Sequence, residues 1–162
     1  MARVLVAIAV ISAVMVSTVG ASAARLPRGM KWVTPGVVRL VGYDSGGFLA
    51  RYLIDLEILK SLRVRQLQLD ETCASACTVF LRLGKRVCVT DRARIGFHRI
   101  IMRNRPGTTL SRKRAAEYAY NDRYLRRLPA KIRNWHGIRD GLPLRTAWLR
   151  GEEAARLIGR CA

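Results

Sequence analysis

Three short stretches of this chain carry residue types suited to acyl transfer. Ser45-Gly46-Gly47 holds two glycines, whose bare backbone lets a substrate carbonyl approach closely. Cys73-Ala74-Ser75-Ala76-Cys77 sets a serine between small residues and two cysteines. Gly96-Phe97-His98 ends in an imidazole. Together they supply a nucleophile (Ser75), a base (His98) and backbone donors for an oxyanion. Each has an ordinary structural use as well. Gly-Gly after a strand makes a turn, a serine ahead of an apolar helix is an N-cap, and a histidine at a strand end packs. Their shared order and placement is what joins them.

The elements that must position these residues follow from the hydrophobic pattern. Val37–Val41 is a β-branched run and predicts a buried strand. Asp44-Ser45-Gly46-Gly47 is a turn signature. Phe48, Leu49, Tyr52, Leu53, Leu56 and Leu59 recur at helical spacing. Val64, Leu67 and Leu69 predict a second strand, broken at Asp70-Glu71-Thr72. Ala74 to Leu83 predicts a short apolar helix stopped by Gly84. Arg86 to Val89 and Ala93 to Phe97 predict two more strands. A helix from Ser111 ends before Pro129, a short one follows over Ala130 to Trp135, and a last one covers Glu152 to Leu157. Residues 24–36, with Pro27 and Pro35, read as an irregular lead. This order predicts an α/β domain with a mostly parallel sheet and flanking helices. In such a sheet the C-terminal ends of neighbouring strands share one edge, where the three stretches would meet.

On these residues the chain resembles the Clp protease proteolytic subunit, within the ClpP/crotonase superfamily. The resemblance runs from about Val37 to His98, with a weaker echo over Trp148 to Gly159. It rests on Asp44-Ser45-Gly46-Gly47, Ala74-Ser75-Ala76, Gly84-Lys85-Arg86-Val87-Cys88 and Ile95-Gly96-Phe97-His98. The Cys-Ala-Ser-Ala-Cys and Gly-Phe-His pair is similar to small exported Clp-like proteins. The resemblance implies Ser75 as nucleophile and His98 as general base. It places the oxyanion donors on Gly46 or Gly47 and on Ala76. The family's orienting carboxylate falls at about Thr146, which is no acid, so Asp140 is the substitute and Asp122 the weaker choice. The resemblance also implies a further strand and helix ahead of Val37, for which this chain has little room, leaving a sheet edge for a partner to cover. An exported serine hydrolase of peptidase type is the expected function. A catalytically degenerate Clp-like binding or assembly protein of the cell envelope is the alternative. A peptide or protein substrate and a homo-oligomer are the partners the resemblance suggests.

Composition sets the surroundings. The chain has 162 residues and a formal charge of +19, carried mostly by arginine. Residues 1–23 join one early positive charge to an apolar run and an Ala-x-Ala ending, the pattern of a secretory signal peptide cleaved after Ala23. Residues 24–162 then form a single domain, periplasmic or secreted, where disulfides persist. Cys73, Cys77, Cys88 and Cys161 allow three complete pairings, and spacing does not choose among them. Were residues 73–77 fully helical, a Cys73–Cys77 bond would be too long, whereas pairing either with Cys88 would pin the serine to the neighbouring strand. No Cys-x-x-Cys pair or nucleotide motif is present, so no metal or cofactor is expected; a zinc set of Cys73, Cys77, Cys88 and His98 is a minor alternative. Arg112 to Arg133 carries eight basic and two acidic residues with three interleaved tyrosines. It reads as a solvated helix face, or as a surface for anionic partners such as lipid headgroups. It has no specific nucleic-acid motif.

Overall fold

The computed structural model describes residues 25–103 and 106–162, and the expected signal segment, 1–23, lies outside the described residues. The lead that the sequence left irregular contains a strand, β1 (Met30–Thr34), paired antiparallel with β2 (Val37–Leu40) around Pro35-Gly36. Four of its five residues are exposed, which is why no apolar alternation announced it. β1 therefore covers the edge of β2 that was expected to stand open for a partner. Val38 and Leu40 point into the core, as the β-branched run requires.

α1 (Leu49–Ser61) follows the glycine turn and buries Leu56 and Leu59. β3 (Gln66–Leu69) then runs parallel to β2, with Val38 opposite Leu67 and Leu40 opposite Leu69. Asp70-Glu71 does not simply end this strand. It steps the chain into a second sheet, where β4 (Thr72–Ala74) begins at once. A 3-10 helix, Ser75–Arg86, follows and is interrupted at Gly84. β5 (Val87–Val89) returns to the first sheet beside β3, and β6 (Arg94–Phe97) to the second beside β4, each pair parallel. Thereafter come α2 (Leu110–Arg126), α3 (Ala130–Arg133), β7 (Ala147–Arg150) and α4 (Gly151–Ile158). β7, unforeseen in the sequence, lies antiparallel to β6.

The result is α/β, with two small mixed sheets in place of one mostly parallel sheet: β1-β2-β3-β5 and β4-β6-β7. The chain repeats one manoeuvre. A strand in the first sheet is followed by a short extended step in the second, then by a helix or turn. β3 with β4 and β5 with β6 do this fully. β2 does it in miniature, because Asp44 forms an isolated parallel bridge to Cys73. Both sheets share one apolar core that includes Leu59, Leu67, Phe80, Ile95, Phe97 and Leu149.

Two devices hold the joint between the sheets. The Asp70 carboxylate, at the step from β3 to β4, accepts hydrogen bonds from Thr90 Oγ1 at 2.8 Å and Arg92 at 2.5 Å. Burial pushes this carboxyl up, but these bonds and the nearby arginine charges more than offset it and hold it below the usual value. The second device is the Cys88–Cys161 disulfide, which ties β5 to the C-terminus across 73 residues of sequence. Val89 reinforces it by donating to Gly159 and accepting from Cys161.

Two predictions follow from these joints. A carboxylate with a lowered folded-state value contributes stability above its unfolded value, near pH 4, and loses it as pH falls through the folded one. The difference in urea midpoint between wild type and Asp70→Asn should therefore be largest near neutrality and shrink below about pH 4. Replacing Cys88 and Cys161 together by serine should cost about 4 kcal/mol in non-reducing guanidinium unfolding, because the loop released is long.

Candidate active site

Three stretches end on the same side of the second sheet. Ser75 follows β4, His98 follows β6, and Gly46-Gly47 follow the Asp44 bridge that extends that sheet. Gly47, Ser75, Ala76 and His98 line one cavity of about 170 Å³. Its remaining wall is mainly apolar, with Leu49, Phe97, Ile100, Ile101 and Leu142, and its polar groups include Thr78 and Tyr124.

Ser75 sits in the left-handed backbone region, φ 56°. For a residue with a Cβ this costs roughly 1–2 kcal/mol, so its surroundings must impose it. They do so on every side. Cys73, on extended backbone, and Cys77, in the first 3-10 turn, form a disulfide that brackets Ser75, with their Cα atoms 5.3 Å apart. The bond unexpected in a full helix closes because the helix has not begun at Cys73. The Ser75 carbonyl accepts from Thr78 Oγ1 at 2.6 Å, and Thr78 in turn shares a hydrogen bond with the Tyr124 hydroxyl. Tyr124 is buried, and desolvation pushes its phenol up to about 12 despite the Thr78 bond, so it stays a neutral hydrogen-bonding group.

The glycine turn is locked onto this elbow. Asp44 donates its N–H to Thr72 and accepts from Ala74 N–H, extending the parallel ladder. Its carboxylate accepts from Gly46 N–H at 2.9 Å and from the Tyr52 hydroxyl at 2.5 Å. Burial, then the Asp44 bond, hold the Tyr52 phenol well above the usual tyrosine range. Since Asp44 occupies the Gly46 N–H, Gly46 cannot serve as the oxyanion donor the resemblance allowed. Gly47 N–H has no acceptor among the described residues. Ala76 N–H precedes the 3-10 ladder and likewise meets no acceptor in another element. Gly46 has a different task. A Cβ there would lie 2.5 Å from Ser75 Cβ and 2.8 Å from Ala76 N, so only glycine lets the turn touch the serine.

His98 Nδ1 lies 2.8 Å from the Arg99 carbonyl oxygen. A carbonyl only accepts, so Nδ1 carries the hydrogen, and the neutral ring leaves Nε2 as an acceptor. The segment that follows is clamped. Arg99 N–H donates to the Pro143 carbonyl at 2.7 Å, and buried Asn121 of α2 both accepts from Ile100 N–H and donates to its carbonyl. Among the described residues no hydrogen bond joins Ser75 to His98, and no carboxylate contacts the imidazole. Asp140 is exposed and pairs with Arg139, and Asp122 pairs with Arg126; neither lines the cavity. Thr146, where the resemblance places the orienting acid, packs toward Gly96. All four cysteines are consumed in disulfides, so they offer no thiolate to a metal.

Asp44, Thr78, Asn121 and Tyr124 escaped the sequence reading as parts of the site. Asp44 was legible in principle, since Asp two residues before a glycine commonly accepts that glycine's N–H. Asn121 and Tyr124 sit inside a helix whose charges dominate its pattern. Comparison with models of protein families and with curated proteins finds no match for the chain.

Gly46→Ala combines a φ of 86° with contacts no side chain sustains. It should lower stability by more than about 1 kcal/mol and displace the elbow. Thermal unfolding reads the first effect, and loss of the Tyr52–Asp44 hydroxyl signal in NMR reads the second.

Proposed function

We propose that the chain is a serine hydrolase of Clp-like type, acting on peptides outside the cytoplasm. The observation that carries this reading is the convergence of Ser75, on a strained elbow, with His98, Gly47 and Ala76 around one cavity. The two disulfides support an oxidising compartment. Among the described residues no helix is long and apolar enough to cross a membrane.

In this mechanism the Ser75 hydroxyl attacks a substrate carbonyl as His98 Nε2 takes its proton. The N–H groups of Gly47 and Ala76 receive the oxyanion. His98 passes the proton to the leaving amine, and water, activated by the same ring, releases the acyl group. The Arg99 carbonyl fixes the tautomer, the task a carboxylate performs elsewhere. The apolar wall of Leu49, Ile100, Ile101 and Leu142 selects an apolar side chain beside the scissile bond. A homo-oligomer is the proposed working form, and the exposed edge strand β1, with Trp32 and Val33 on its surface, offers a place for association.

The missing hydrogen bond between Ser75 and His98 favours the second reading, a binding protein that keeps the fold without the chemistry. Fluorophosphonate labelling of the oxidised protein, mapped by mass spectrometry, separates the two. On the enzyme reading Ser75 is labelled, Ser75→Ala is silent, and His98→Ala slows labelling by about 10²- to 10⁴-fold. An unlabelled, folded protein would establish the binding reading instead.

A further inference from the structure

Behind the elbow lies a second pocket, of about 160 Å³, between the 3-10 helix and α2. Arg82, Arg123 and Arg127 line it together with Leu53, Tyr120 and Tyr124. We propose that this pocket binds a phosphate-type oxyanion.

Its charge is uncompensated from within. No carboxylate lines it, and Asp122, the acid of α2 closest to these arginines in sequence, is engaged by Arg126. Arg82 is the anchor. Its guanidinium lies 5.0 Å from the Tyr124 ring centre, and its Nε is buried with no hydrogen-bond partner among the described residues. A buried, unpaired N–H of a charged group is expensive to leave unmade. Burial, and then the charge of Arg127, make the Arg82 cation harder to hold than usual. An anion beside the guanidinium offsets the cost of the cation. The geometry of the donors favours phosphate over carboxylate. A carboxylate has two oxygens and satisfies one guanidinium fork, whereas a tetrahedral phosphate presents oxygens to several forks at once.

The pocket shares Tyr124 with the Ser75 cavity. The path from one to the other is short: Arg82 against Tyr124, Tyr124 to Thr78, and Thr78 to the Ser75 carbonyl. Arg82 lies outside the basic run that the sequence singled out and Arg123 and Arg127 lie within it, so folding is what joins the three. Its existence does not depend on Ser75 being reactive.

Calorimetric titration of the oxidised protein at fixed ionic strength tests the site, with inorganic phosphate and, separately, with phosphatidylcholine vesicles with and without phosphatidylglycerol. Arg123→Gln and Arg127→Gln change exposed residues, so the fold survives them; Arg156→Gln on α4 removes the same charge elsewhere. The expected result is saturable binding of one phosphate per chain, weakened about tenfold or more by either pocket variant and little by Arg156→Gln. Binding to phosphatidylglycerol vesicles but not to free phosphate, with the same ranking of variants, assigns the site to a lipid headgroup. Equal weakening by all three variants would reduce the effect to net charge and overturn the proposal, as would no binding by either probe.

Discussion

Everything distinctive in this structure depends on holding one serine in a backbone conformation that serines avoid. Ser75 alone would relax out of the left-handed region and gain roughly 1–2 kcal/mol. Four independent constraints prevent this: the Cys73–Cys77 bond across it, the Gly46 backbone pressed against its Cβ, Thr78 on its carbonyl, and Asp44 on the strand leading into it. The small disulfide loop contributes about 2 kcal/mol by the chain-entropy estimate, comparable to the strain it contains. What the constraints achieve is direction. A left-handed residue between a strand and a helix leaves the next N–H groups unspent, so the proposed nucleophile and one proposed oxyanion donor lie on the same strained turn.

The two-sheet architecture is how such a turn acquires neighbours. The first three visits to the second sheet, at Asp44, β4 and β6, are parallel to one another, so each delivers its C-terminal end to the same edge, and β7 then closes the sheet antiparallel to β6. The glycine turn, the serine and the histidine are separated by tens of residues in sequence but by one strand spacing in the sheet. α2 completes the arrangement without lending its charges to it. Asn121 grips Ile100 from both sides and Tyr124 closes the cavity, while the arginines of the same helix face outward or into the second pocket. One helix thereby holds the segment after His98 with one face and gathers positive charge with another.

How much of this was legible follows from what each element depends on. Strands with buried apolar residues, β2, β3, β5 and β6, announced themselves, as did the helices with apolar spacing. β1 and β7 did not, since an edge strand needs neither alternation nor full burial and exists because a neighbour offers unpaired backbone groups. The step at Asp70-Glu71 read as a strand's end because a change of sheet and a break look alike in sequence. The grouping of Ser75, His98, Gly47 and Ala76 was readable from strand order alone. The roles of Gly46 and Asp140 were not, because a hydrogen bond to Asp44 and an exposed position beside Arg139 are tertiary facts. Disulfide pairing was open for the same reason: the Cys73–Cys77 bond depends on the residue at which the helix starts.

The orienting group of His98 shows what a backbone atom can and cannot supply. The Arg99 carbonyl fixes the hydrogen on Nδ1, and Arg99 is itself fixed by Pro143, so the ring is aimed as firmly as a carboxylate would aim it. A carbonyl is a dipole, however, and in the proposed reaction the imidazolium formed when Ser75 yields its proton would meet no full negative charge. The chain's formal charge of +19 gives no general relief, since the groups able to provide it are scarce. On the proposed mechanism, stabilisation of the transition state would fall more heavily on the N–H groups of Gly47 and Ala76 and on the apolar wall. Those are the parts that the strained elbow and the glycine turn hold most rigidly. The architecture thus places its constraint on the Ser75 side of the proposed reaction, where a fixed backbone would contribute most, and would leave His98 with orientation alone.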